Sequence, residues 1–149
     1  MSQVTTSIAI DAPPERVWDV VMDPHCLHTW VTIHRKLLHC EEGPLHVGYR
    51  MDQRICLRGV TVEVHWELVD CEPNRRAVWK GRGPARSRAE TEYLLKPAGD
   101  GTHFDYHNDF HAPLGPVGAI FSRALVGGIP QREANRSLDQ LKGQIERHK

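Results

Sequence analysis

Apolar and polar residues alternate with a period of two along most of the chain as far as Ala112, and the period becomes helical beyond Pro116. The alternation begins with Thr6, Ile8 and Ile10 set against Ser7 and Ala9, the pattern of a half-buried strand. Asp11 then stands where it can cap a helix with Pro13 and Pro14 in its first turn, where a missing N–H costs nothing. Glu15 suits the positive end of that helix, and Val17, Trp18 and Val21 form a short apolar stripe. Asp23-Pro24 repeats the cap-plus-proline signal and opens a second short helix ending near Trp30. Strands are predicted at Val31–Cys40, Val47–Leu57, Val60–Val69, Arg76–Arg82, Ala85–Lys96 and Thr102–Ala112, separated by short Gly- and Pro-bearing turns. Such close spacing favours antiparallel hairpins over parallel crossovers. From Pro116 to His148 the apolar residues Val117, Ile120, Phe121, Ala124, Leu125, Leu138, Leu141 and Ile145 follow a helical period, with a kink or break expected at Gly127, Gly128 and Pro130.

Strand parity sorts the residues into two faces. In the last strand Thr102, Phe104, Tyr106, Asn108 and Phe110 share the apolar face, so Tyr106 and Asn108 present a phenol and an amide to the interior. Val60, Val62, Val64, Trp66 and Leu68 share another such face, and Ala77, Trp79 and Gly81 a third, where the missing side chain of Gly81 leaves room for a ligand. Ala85, Ser87, Ala89, Thr91, Tyr93 and Leu95 form a row of mostly small residues. Beside Trp66 and Trp79 that row points either to a hollow core or to a terminal helix leaning closely on the sheet. Tyr49, Met51, Gln53 and Ile55 look inward; the opposite parity would instead bring in Arg50, Asp52 and Arg54, a set with acid–base potential that more commonly forms a solvated face.

The 149 residues suit one domain spanning the whole sequence, large enough for a core with a cavity. Nineteen basic residues balance nineteen acidic ones, which argues against bulk electrostatic binding to nucleic acid or anionic membrane. No apolar run approaches the roughly 20 residues of a membrane-spanning helix, and no signal pattern opens the chain. Cys26, Cys40, Cys56 and Cys71 form no C-x-x-C pair, so the simplest expectation is a cytoplasmic protein with reduced thiols.

Three further patterns invite chemistry and are set aside. The face His103, Asp105, His107, Asp109, His111 resembles a metal set, but its histidines lie four residues apart, about 13 Å by strand rise, too far for one ion; His25 and His28 add nothing to it. The basic cluster from Lys80 to Arg88 lacks interleaved aromatic residues and runs straight into Glu90 and Glu92. Gly81-x-Gly83 lacks the third glycine and the strand-to-helix context of a dinucleotide loop. No cofactor, metal or nucleic-acid partner is expected, and no feature fixes an oligomeric state.

Read together, Ala12-Pro13, Val17-Trp18, Asp23-Pro24 and Trp30, then Val47-Gly48-Tyr49-Arg50, Gly101–Tyr106, Pro113–Gly118 and Ser137–Glu146, resemble the START-like (SRPBCC) superfamily of polyketide cyclase/dehydrases, lipid carriers and Bet v 1-like proteins. The resemblance covers essentially the whole chain. It implies an α+β helix-grip fold: about seven antiparallel strands curved around a long C-terminal helix, with two short helices after the first strand. It also implies a ligand cavity between sheet and helix. The residues expected to line it are Trp30, Tyr49, Trp66, Trp79, Thr91, Tyr93, Tyr106, Asn108 and Phe121. Three functions follow. The first is a binder of a hydrophobic, polyketide- or lipid-like molecule anchored by one or two polar groups. The second is a polyketide cyclase/dehydratase-type enzyme in which Tyr106 and Asn108 are the catalytic candidates, polarising or protonating an oxygen. Aromatase/cyclase relatives usually place an arginine in the cavity near the strand of Trp66, and no inward arginine is evident here. The third is a protein-interaction module acting through its outer surface.

Overall fold

A computed structural model describes residues 2–57, 59–111 and 130–147. The first strand, β1 (Ser2–Ile10), is followed by helix α1 (Pro14–Val21), a 3-10 turn at Pro24–Cys26 and the single-turn helix α2 (Leu27–Trp30). Six strands follow: β2 (His34–Cys40), β3 (Arg50–Leu57), β4 (Val60–Glu72), β5 (Arg76–Arg82), β6 (Arg88–Ala98) and β7 (Gly101–His111). Helix α3 (Gln131–Arg147) ends the described chain. Phe121 and the expected helical break at Gly127 and Gly128 lie outside the described residues.

All seven strands form one antiparallel sheet in the order β1-β7-β6-β5-β4-β3-β2. The two short helices carry the chain from one edge of the sheet to the other, so β1 pairs with β7 (Thr6 opposite Tyr106) while β2 pairs only with β3. Register shifts between Leu68 and Asp70 in β4, and within β2, bend the strands, as bulges do. The concave face receives α3, whose Ala134, Leu138, Leu141 and Ile145 are buried at helical spacing. The far end of α3 is fastened to the start of the fold. Lys142 donates to the Ala9 carbonyl (2.8 Å), the backbone N–H of Asp11 donates to the Glu146 carboxylate (2.8 Å), and Arg16 donates to the Ile145 carbonyl (3.1 Å). The hydrogen bond from Lys142, then that from Asp11, holds the Glu146 carboxyl below its usual range.

Local physics moves some expected boundaries. The N-cap of α1 is Pro13, without a side-chain hydrogen bond, rather than Asp11, whose backbone is engaged by Glu146. Asp23 does cap the next turn, accepting from the His25 backbone N–H at 2.9 Å. β2 starts at His34 because Val31 closes α2 on Leu27 and His34 closes a turn on Val31. β6 starts at Arg88 because a 3-10 turn occupies Pro84–Arg86, with Arg86 in the left-handed region at φ 66°.

Candidate functional site

The inner face of the sheet carries the side chains that parity assigned to it. Tyr49, just before β3, and Met51, Gln53, Ile55 and Leu57 along it are buried, whereas Arg50, Asp52 and Arg54 face out, where Arg50 and Arg54 meet Glu67 and Glu63 and Asp52 meets His65. Thr91, Tyr93 and Leu95 on β6, and Phe104, Tyr106 and Asn108 on β7, are likewise buried. Between this face and α3 lies a pocket with about 90 Å³ of free volume. Its wall includes Trp30, Trp66, Trp79, Thr91, Tyr93, Tyr106 and Asn108 from the expected set. Tyr49 is not part of it: its hydroxyl donates to the Glu41 carbonyl (2.8 Å) and its ring stands edge-on behind Trp79, 6.2 Å between centroids.

Three aromatic rings run along one side of the pocket. Trp30 packs on Tyr93 at 5.9 Å and Tyr93 on Tyr106 at 6.0 Å between centroids. Burial, and for Tyr93 the neighbouring Tyr106 as well, pushes both phenols above their ordinary range; hydrogen bonds from Asn108 and Thr91 pull Tyr106 back only in part. Both hydroxyls therefore stay protonated at neutral pH and act as donors rather than bases. Asn108 donates from Nδ2 to Thr91 Oγ1 at 2.7 Å, in full burial.

A second polar chain crosses the opposite wall. The indole N–H of Trp66 donates to Gln53 Oε1 (2.9 Å), and Gln53 Nε2 lies 2.9 Å from His34 Nδ1. An indole N–H can only donate, so the amide oxygen must face Trp66 and the amide N–H must face His34. His34 Nδ1 is then an acceptor and the ring neutral. Burial lowers the His34 pKa, and the positive charges available to His28 and Arg35 lower it further. Sequence parity put Gln53 inside, but nothing in the sequence marks it as the partner that fixes Trp66.

Two expectations change with the packing. The space over Gly81 is filled: a Cβ there would stand 2.7 Å from Val64 Cγ1 and 2.8 Å from the Trp66 ring, so the glycine makes room for Trp66 and not for a ligand. The core is accordingly less hollow than its row of small residues implies. Ser87 is also committed, donating to the Pro84 carbonyl at 2.8 Å. Arg88, read as an outer residue, is exposed yet stands at the rim of the pocket. Ser137 of α3, absent from the expected set, lines the pocket and bonds to the Glu133 carbonyl and to Thr32.

On the convex side a wider polar groove, about 730 Å³, is lined by both signs of charge, including Arg50, Glu67, Lys80 and Glu90. Nearby on the outer face His103 meets Asp105 at 3.0 Å and His107 meets the Thr5 hydroxyl at 2.8 Å. Among the described residues no group of three His, Cys, Asp or Glu side chains is arranged to hold a metal ion, and no helix is long and apolar enough to cross a membrane.

Known proteins share this sequence and fold. The chain is 26% identical over 137 residues to Toxin Rv0910 of Mycobacterium tuberculosis strain H37Rv, covering 91% of this chain and 95% of that protein. Toxin MT0934 of strain CDC 1551 matches to the same extent. The crystal structure of TTHA0849 from Thermus thermophilus superposes with a TM-score of 0.76 at 21% identity, covering 98% of each chain. The ZhuI aromatase/cyclase from Streptomyces sp. R1128 also gives 0.76, at 17% identity, over 98% of this chain and 94% of that one. These structures share the helix-grip architecture of a seven-stranded sheet closed on a C-terminal helix. The family model for polyketide cyclase / dehydrase and lipid transport matches residues 1–146, and the chain belongs to that family.

Proposed function

We propose that this protein binds a hydrophobic small molecule, polyketide- or lipid-like, in the pocket between the sheet and α3. The observation that carries this reading is the wall itself. It is built from aliphatic and aromatic side chains with a few hydrogen-bonding groups, and its one charged residue among those described, Arg88, sits at the exposed rim. Its phenols are held protonated. Ring-forming or dehydrating chemistry requires a proton to be abstracted, and the described residues of this interior offer donors instead of a base. Tyr106 and Asn108 can polarise an oxygen, which makes a cyclase/dehydratase the second reading, with catalysis limited to positioning and polarisation.

The free volume of about 90 Å³ is small beside the roughly 300–1,000 Å³ of drug-sized sites. A single ring fits the pocket as it stands; a longer molecule requires α3 and the sheet to part. Native mass spectrometry against the denatured mass, with Nile red uptake as a second readout, tests the reading. Co-purifying mass, or saturable dye fluorescence lost in a Trp79→Asp variant that still folds, is the expected result. An apo mass together with no dye uptake overturns it.

The relatives named toxins support a further reading, an action on a cellular target through the charged convex groove. Growth arrest on induced expression, abolished by reversing Arg50 and Lys80 and retained when the pocket is blocked, would favour that reading over ligand binding.

A further inference from the structure

Most polar groups of the pocket pair with one another, and two are left over among the described residues, the Tyr93 hydroxyl and the Trp30 indole N–H. Gln53 is taken by Trp66 and His34, Thr91 by Asn108, Ser137 by Thr32 and the Glu133 carbonyl, and Ser87 by the Pro84 carbonyl. The Tyr106 hydroxyl lies close enough to Asn108 and Thr91 for both to lower its pKa against the effect of burial. Trp30, only 1% exposed and in the pocket wall, has an indole N–H with no hydrogen-bond partner among the described residues. A buried donor left unpaired is unfavourable and rare enough to require an explanation.

We propose that the Trp30 indole N–H is the anchor that selects the ligand of this pocket, and that the ligand offers it an uncharged oxygen acceptor such as a ketone or ester carbonyl. This rests on the binding reading above and adds the ligand's polar chemistry. The acceptor must be the ligand's because an indole N–H only donates. A water molecule needs two to four polar partners, and of the groups named above only the Tyr93 hydroxyl is free to be a second one. The acceptor is uncharged because the described residues of the interior wall include no cation to offset a carboxylate; Arg88, the one charged residue among them, is exposed at the rim. The edge-on packing of Trp30 against Tyr93 fixes the indole, so the donor is held in place before the ligand arrives.

The test uses two molecules of one shape, cyclohexanone and methylenecyclohexane, which differ by an oxygen in place of a CH2 group. Each is titrated calorimetrically into the full chain and into Trp30→Phe. The expected result is a roughly three- to tenfold loss of cyclohexanone affinity in the variant, the size of one hydrogen bond, with methylenecyclohexane changed much less. In the unmodified protein, the 15N-labelled indole resonance of Trp30 moves downfield with cyclohexanone and not with its hydrocarbon twin, a readout that does not depend on the variant folding. If both molecules bind and lose affinity equally, or the indole resonance ignores the ketone, the anchor is overturned while the pocket stands. Binding of neither molecule overturns both.

Discussion

The two ends of the inner wall are built on different rules. At the β3–β4 end, Ile33, Ile55, Leu57, Val62 and Val64 form an apolar patch stabilised chiefly by buried area, with the Trp66–Gln53 pair beside it. At the β6–β7 end, Thr91, Tyr93, Tyr106 and Asn108 bury four polar side chains, with Asn108 donating to Thr91. The first end tolerates any exchange that conserves volume. The second tolerates only exchanges that leave no donor or acceptor stranded. A ligand lying across both meets a surface that sorts by size at one end and by hydrogen-bonding pattern at the other.

Truncation at the apolar end should have the largest effect. Ile55→Ala is expected to cost about 2–5 kcal/mol in urea unfolding, from lost burial plus the cavity left behind. A loss below 1 kcal/mol would mean that this end is already loosely packed. At the polar end, Thr91→Val leaves the Asn108 amide unpaired and is expected to cost about 1–3 kcal/mol. The double variant with Asn108→Leu should recover most of that loss. If the two single losses simply add, the groups are independent and the contrast drawn here fails.

The Gln53 chain supplies a smaller, pH-dependent term. His34 has a folded pKa below its ordinary value of 6.5, so its contribution is complete above pH 6.5 and is lost as pH falls below that value towards the folded pKa. Protonation also turns His34 Nδ1 into a donor facing the amide N–H of Gln53, which sets the Gln53–Trp66 bond against it. The urea midpoint should therefore fall between pH 7.5 and pH 5 by more in the wild type than in His34→Asn; parallel curves would remove His34 from the account. Least of all should Arg88→Gln matter: an exposed rim residue is expected to leave stability within about 0.5 kcal/mol.

Much of this was legible in the sequence because period-two alternation is a backbone property that tertiary contacts rarely overrule. Arg76–Arg82 was readable to the residue, and the inward sets on β6 and β7 follow from parity, whereas on β3 the pattern left both faces open and the structure turns Met51, Gln53 and Ile55 inward. Boundaries failed where a turn consumed residues whose side-chain pattern still alternated, as at Pro84–Arg86. Two failures in the site have one cause. Gly81 looked like free space and Tyr49 like a wall residue, because sequence gives the face a side chain takes but not which neighbour arrives there first. The large ring of Trp66 lies across Gly81, and the phenol of Tyr49 reaches the Glu41 carbonyl beside the sheet. The unpaired Trp30 donor was equally hidden, since sequence does not show whether an indole N–H meets an acceptor once the chain has packed.

The pairing of β1 with β7 has a consequence in time. Thr5 and His107, opposite each other in the ladder, are 102 residues apart in the chain. At synthesis rates of 5–20 residues per second, β1 waits roughly 5–20 s before its partner strand is made. During that interval Ile8 and Ile10 have neither the strand nor the helix that will cover them. Thr5, Thr6 and Ser7, just before them, keep the waiting strand hydrated and a poor template for other chains. Closure of the sheet, and with it the formation of the pocket, is therefore a late event in folding, governed by the slow search that such distant contacts impose.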